Sequence, residues 1–209
     1  MKSLPRLFLI TVLCLFGCNV SVNKTIYIPD GEIVHDSQNT VNGNIIIGSD
    51  CKVYGTCRSV NGTIEVGSRS KIRDLQTVNG TIRIGKEVTV RRDVESVNGS
   101  VTCEPGVMIE GDITTVNGSM ELANTTVKRD ITTYHGNITL RDKSTLRGNI
   151  IVKRGKGSSE GRRRLRIKIT EESVVEGNIM VRDRRMEVKV YLSSGGKVNG
   201  RIENAEVIE

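Results

Sequence analysis

The triplet Val-Asn-Gly places its asparagine at positions 42, 61, 79, 98 and 117, in steps of 19, 18, 19 and 19 residues. A short fixed period means that one structural unit is written repeatedly, and each copy must bury its apolar face against its neighbours. One step after Asn117 the chain reads Tyr134-His135-Gly136. The pattern then loosens into Arg147-Gly148-Asn149, Glu176-Gly177-Asn178 and Val198-Asn199-Gly200.

After each asparagine-glycine pair comes an alternation: Thr63-Ile64-Glu65-Val66, Thr81-Ile82-Arg83-Ile84, Ser119-Met120-Glu121-Leu122 and Asn137-Ile138-Thr139-Leu140. Apolar residues at every second position define a strand with one buried face. Within one period, Thr63 to Gly80, Ile64 and Val66 make a first strand, Ile72 a second, and Leu75 with Val78 a third. Polar and glycine residues between them turn corners. The expected fold is all-β: a single-stranded parallel β-helix of about 18–19 residues per coil, with eight to nine coils and a length of about 40 Å at the inter-strand spacing. Like residues then lie over like: Val66, Ile84, Cys103, Leu122 and Leu140 in one column, and Cys57, Leu75, Val94, Ile113 and Ile131 in another. Cys51 shares a column with Val88 and Val107. The triplet reads as a corner in which valine points inward, asparagine joins an axial amide ladder, and glycine supplies a positive φ. Asn-Gly-Thr and Asn-Gly-Ser also match a glycosylation sequon, but the ladder accounts for the spacing.

Composition agrees with a slender interior. The 209 residues contain no Trp, 3% aromatics and 22 Gly, which excludes a thick aromatic core. Of five cysteines, Cys14 and Cys18 belong to the N-terminal segment. Cys51, Cys57 and Cys103 are an odd set for a disulfide framework and read as small core residues; a Cys51–Cys57 bond is the alternative.

The first residues resemble an export signal. Lys2 and Arg6 precede the apolar run Leu7 to Phe16, which is too short to span a bilayer of roughly 20 residues per helix. Leu15-Phe16-Gly17-Cys18 resembles the signal of bacterial lipoproteins, which implies cleavage before Cys18 and acylation of that cysteine. An ordinary secretory signal that happens to contain a cysteine is the alternative. The expected organisation is a signal at 1–17, a short tether at 18–25 and a solenoid over 26–209 with a basic loop at 153–164. Asn19 after the cysteine, rather than Asp, points to the outer membrane of a two-membrane envelope.

Charge is uneven. From Arg141 to Lys189 there are 15 Lys or Arg and 7 Asp or Glu, a net of +8; from Cys18 to Leu140 there are 12 and 14, a net of −2. Lys153 to Arg164 reads as a protruding loop, followed by a strand Leu165 to Ile169 with a basic face. Arg162, Arg163, Arg164, Arg166 and Lys168 are therefore the candidate anion-binding residues, for an envelope polymer or lipid head groups. A solvated rim that blocks edge pairing is the bland alternative. Nucleic acid is not an expected partner of an exported chain that lacks an aromatic stacking platform.

No nucleophile–base set or metal-ligand spacing is legible, and no cofactor is expected. Of two histidines, His35 precedes the regular repeat and His135 replaces a ladder asparagine. The outward carboxylates Glu65, Glu121 and Asp142 are the nearest approach to glycosidase chemistry. The spacing Val66, Ile72, Val78, Ile84, Val90 resembles that of left-handed hexapeptide acyltransferases, but no histidine sits where such an enzyme needs one.

At Gly62 to Gly85, "GTIEVGSRSKIRDLQTVNGTIRIG", the chain resembles the bactofilins, polymer-forming cytoskeletal proteins built of short parallel coils; the resemblance extends over Asn39 to Val152. It implies a right-handed β-helix, end-to-end polymerisation and no catalysis. The export signal and the basic loop are departures from that family, whose members are cytosolic. Exported proteins with Val-Asn-Gly repeats and no assigned function are more similar still. The expected role is a non-enzymatic, lipid-anchored envelope scaffold that binds a partner or self-associates through its coil ends. The alternative is a carbohydrate-active or acyl-transferring β-helix enzyme.

Overall fold

The computed structural model describes residues 20–155 and 163–209. The export segment, Cys18 and Arg162 lie outside the described residues. Every element within them is a strand, and every strand pairing is parallel. The chain winds as a parallel β-solenoid of about 9 turns.

Each coil has three sides. The first sides stack into a ten-stranded sheet that begins with Ile26–Ile28 and ends with Glu206–Ile208. The second and third sides form a seventeen-stranded sheet, because Lys52–Ser59 and Lys71–Thr77 run through the corner between them. Inward residues stack in register. Ile64, Ile82, Val101, Met120 and Ile138 follow one another along the first side. The anticipated columns Val66–Ile84–Cys103–Leu122–Leu140 and Cys57–Leu75–Val94–Ile113–Ile131 both occur. These side chains are fully or almost fully buried. Each contributes about 1.5–3 kcal/mol of transfer free energy against the entropy of ordering the chain.

Cys51, Cys57 and Cys103 are buried free thiols. Cys51 donates its thiol hydrogen to the Pro29 carbonyl at 3.0 Å. Burial pushes the Cys57 and Cys103 thiols up to about 12.

The Asn-Gly corner, between third and first sides, departs from the expected geometry in two respects. The valines are only half-buried; the inward residue is the one before, Thr40, Ser59, Thr77, Ser96, Thr115 or Thr133. Its hydroxyl donates to a corner carbonyl, as Ser59 does to Gly43 at 2.9 Å and Thr115 to Gly118 at 2.9 Å. A buried hydroxyl is tolerated because it is hydrogen-bonded. Val78 thereby falls out of the core, and the sixfold spacing breaks there. The corner glycines, moreover, do not adopt positive φ; among the described residues the glycines that do are Gly31, Gly106 and Gly195. Their requirement is proximity. A Cβ on Gly62, Gly80, Gly99 or Gly118 would overlap the carbonyl oxygen of the glycine one coil before it.

The asparagine ladder is present and starts one coil earlier than the repeat indicates. Asn42 donates its amide to Asn23 at 2.8 Å, Asn61 to Asn42 at 2.8 Å, Asn79 to Asn61 at 2.8 Å, Asn98 to Asn79 at 2.8 Å, and Asn117 to Asn98 at 2.7 Å. It ends under His135.

The later Gly-Asn pairs belong to a different corner, between second and third sides. There each side-chain oxygen accepts the backbone N–H of the next coil. Asp93 accepts from Asp112 at 3.0 Å, Asp112 from Asp130 at 2.9 Å, Asp130 from Asn149 at 2.7 Å, and Asn149 from Asn178 at 2.9 Å. Val198 pairs with Val175, so the final Val-Asn-Gly also lies at this corner and not on the amide ladder. The remaining corner holds most of the left-handed residues among those described, including Asp50 (φ 59°), Arg69 (57°), Glu87 (58°) and Gly106 (85°), while Asn23 (56°) and Asn204 (59°) lie at the corner between third and first sides.

The insertion after Val152 lengthens one coil without breaking the stack. Ile138 pairs with Ile167 across 29 residues. The returning strand Arg163–Ile169 then pairs along its whole length with Met186–Leu192.

Candidate functional site

The long strand Arg163–Ile169 alternates, so its basic residues do not form one surface. Leu165, Ile167 and Ile169 are buried, and Arg164, Arg166 and Lys168 project outward on the ten-stranded sheet. Register sets their neighbours: Arg164 beside Glu187, Arg166 beside Lys189, Lys168 beside Tyr191. Arg164 pairs with Glu187 at 3.5 Å, and Lys189 reaches both Glu206 at 3.2 Å and Glu187 at 3.8 Å. The Glu206 hydrogen bond, with the charges of Glu206 and Glu187, raises the Lys189 pKa. Arg166 and Lys168 have no ion pair among the described residues. Arg163 points the other way, and its guanidinium lies 2.8 Å from Nε2 and 3.1 Å from Nδ1 of His135. Burial, reinforced by the Arg163 charge, lowers the His135 pKa. Of the five expected residues, the four that are described are thus divided between Arg166 with Lys168 on one face, a neutralised Arg164, and Arg163 at the corner.

The outward carboxylates are also apart. Glu65 is paired with Arg83 at 2.8 Å, and Asp142 with its neighbour Arg141. Glu121 lies three rungs beyond Glu65 on the same column, through Arg83 and Thr102. Three rungs amount to about 14 Å at the inter-strand spacing, whereas the carboxyls of glycosidases stand about 5–9.5 Å apart.

Sequence reasoning passed over a second group of cations. Lys71, Arg73, Arg91 and Arg92 lie in the stretch whose net charge is negative, one coil apart, so no run of basic residues marks them. With Val53 and Tyr54 they line a groove of about 280 Å³. The detectable signal was the 18-residue step from Asn61 to Asn79.

The chain matches no protein-family model, no curated protein and no solved structure. No group of three or more His, Cys, Asp or Glu among the described residues is arranged to hold a metal ion.

Proposed function

We propose that this chain is a non-enzymatic, lipid-anchored scaffold of the bacterial envelope, held at the membrane by acylated Cys18 and associating through its coil ends with further copies or a partner. The observation that carries this reading is the combination of a filled interior with end strands that, among the described residues, are paired on one side. Ile, Val, Leu and Cys side chains occupy the axis, leaving the lateral surface and the two terminal rungs for recognition. Among the described residues, Ile26–Ile28 and Glu206–Ile208 each have a strand on one side alone. An unpaired edge is a template for another chain. Apolar side chains are exposed on both end coils: Val22, Tyr27 and Ile33 on the first, Val207 on the last. The resemblance of Gly62 to Gly85 to the bactofilins supports the same reading, and with it right-handed winding and end-to-end polymerisation.

Two measurements test it. Fatty-acid labelling in cells should mark the wild-type protein and be lost in Cys18→Ser. Sedimentation of the purified chain across a concentration series should show assembly that Val22→Lys and Val207→Lys abolish. A protein that stays monomeric at high concentration and crosslinks to no envelope neighbour in cells contradicts the scaffold role.

A further inference from the structure

The groove beside Tyr54 arises from a missing corner residue. Three residues separate the inward Val53 from Cys57 in one coil, and three separate Val90 from Val94 two coils on. In the coil between, only Arg73 and Asp74 separate Ile72 from Leu75. The pairing of Lys52–Ser59 with Lys71–Thr77 shifts register at this place, between Val53 and Thr56. The middle coil is therefore recessed by one residue at the corner, and the coils on either side overhang it. The later coils again place three residues here, as between Ile109 and Ile113, so the notch is unrepeated among the described residues.

The notch is basic and partly preorganised. Behind its arginines lies Asp74, whose side chain is 8% exposed and whose Oδ2 accepts from the Thr56 hydroxyl at 3.3 Å. Asp74 draws in Arg73 at 3.2 Å and Arg92 at 3.7 Å, fixing two guanidinium groups at the rim. Lys71 and Arg91 have no ion pair among the described residues. The Arg91 guanidinium lies 5.6 Å over the Tyr54 ring, whose stacking partner is His35 at 5.1 Å with an interplanar angle of 15°. Four cations thus line the concavity, with Asp74 between Arg73 and Arg92 and Glu110 within electrostatic reach of Arg91, leaving a formal surplus of two positive charges in a concavity smaller than a drug-sized pocket.

We infer that this notch binds a phosphate group carried on a small polar molecule. A surplus of that size calls for a multiply charged anion, and the planar forks of three arginines match phosphate oxygens as donor pairs. Arg73 and Arg92 are held by Asp74, and Arg91 by the Tyr54 face, so little side-chain entropy is left to lose on binding. The phosphate could be borne by a lipid head group or by a soluble phosphorylated compound; the recognition chemistry is the same.

The test is titration of the purified full-length chain with inorganic pyrophosphate at about 0.1 M salt, where exposed charges beyond roughly 10 Å are screened. Saturable binding is expected, weakened at least tenfold in the double variant K71Q/R91Q and unchanged in R166Q/K168Q. Both pairs are exposed, so far-UV circular dichroism and thermal midpoints should stay at wild-type values. A parallel arm, run in the Cys18→Ser background so that no acyl anchor contributes, measures co-sedimentation with phosphatidylcholine vesicles containing phosphatidylglycerol, relative to vesicles of phosphatidylcholine alone. Loss of vesicle binding in K71Q/R91Q alone assigns the phosphate to lipid; binding of pyrophosphate without vesicles assigns it to a soluble molecule. Absence of saturable binding to either probe, or equal weakening by both double variants, overturns the inference. Neither result depends on end-to-end assembly, so failure here is separable from failure of the scaffold reading.

Discussion

Replacing Gly80 by alanine should cost about 3 kcal/mol, and the reason is steric contact between coils. The added Cβ would stand 2.6 Å from the Gly62 carbonyl carbon, closer still to its oxygen, and 3.0 Å from Thr77 Oγ1. Carbon atoms make favourable contact at about 3.5–4.0 Å, so the corner at 78–81 must rise by about 1 Å. The bonds that hold it down then stretch: Asn79 N–H to Val60 O at 2.7 Å, Val78 N–H to Ser59 O at 3.2 Å, the Asn79–Asn61 amide bond at 2.8 Å, and Thr77 Oγ1 to Gly62 O at 3.2 Å. At about 1 Å longer most pass the limit of a useful hydrogen bond. Each is worth about 0.5–1.5 kcal/mol net, and partial relaxation leaves a total of about 2–4 kcal/mol. The corner cannot rise freely, because Gly99 packs against the Gly80 carbonyl from the next coil. Urea unfolding followed by far-UV circular dichroism gives the number, and a reduced m value would report that the stack has parted into two shorter units. Gly80→Asn separates the two explanations of this glycine. If positive φ were the requirement, asparagine would be tolerated better than alanine. If proximity is, asparagine should be at least as damaging. A Gly80→Ala protein within about 1 kcal/mol of wild type, or a Gly80→Asn protein clearly more stable than it, refutes the argument.

Three further outcomes follow from the same columns. Asn79→Asp keeps the acceptor for Asn98 but turns an oxygen on Asn61 Oδ1, raising the folded pKa of the new carboxyl above its unfolded value of about 3.9; stability relative to wild type should therefore be greatest in acid and fall as pH rises through the folded pKa, as read by denaturation at pH 3 and pH 7. His135→Asn should let residue 135 donate to Asn117, adding about 0.5–1 kcal/mol. Because His135 has a lowered pKa, the unfolded chain binds a proton that the folded ring resists, so wild-type stability should fall as pH drops through about 6.5 and the variant should lose that slope. Cys57 and Cys103, with thiols pushed up to about 12, should resist Ellman's reagent at pH 8 in the native protein and react on unfolding; rapid native labelling of either would contradict a closed core.

How much of this was legible depends on which bonds the chain writes into its spacing. Side-chain alternation is written directly, so the inward columns and even the burial of Cys57 and Cys103 could be read from residue order. Corners are written ambiguously. Asn-Gly and Gly-Asn draw on the same two residues, yet one builds an amide-to-amide ladder and the other a carboxamide that caps the next coil's N–H. Nothing in the composition separates them; their order relative to the preceding inward residue does. The inward Ser or Thr before Val-Asn-Gly was missed for a related reason: a buried hydroxyl looks polar until its carbonyl partner, supplied by the turn itself, is known.

The basic notch shows where period alone stops being informative. Two steps of the solenoid are 18 residues long, Ile64 to Ile82 and Met120 to Ile138. In the first, the absent residue lies between Ile72 and Leu75; in the second it lies between Leu122 and Val127, at the corner of left-handed residues. The two deletions are equal in the repeat count and opposite in consequence. One brings Lys71, Arg73 and Arg92 around a recessed Asp74, and the other merely tightens the turn around Asn124, at φ 41°. Telling them apart requires counting from one inward residue to the next within the coil, because only that count says which corner has lost its residue and which side chains overhang the gap.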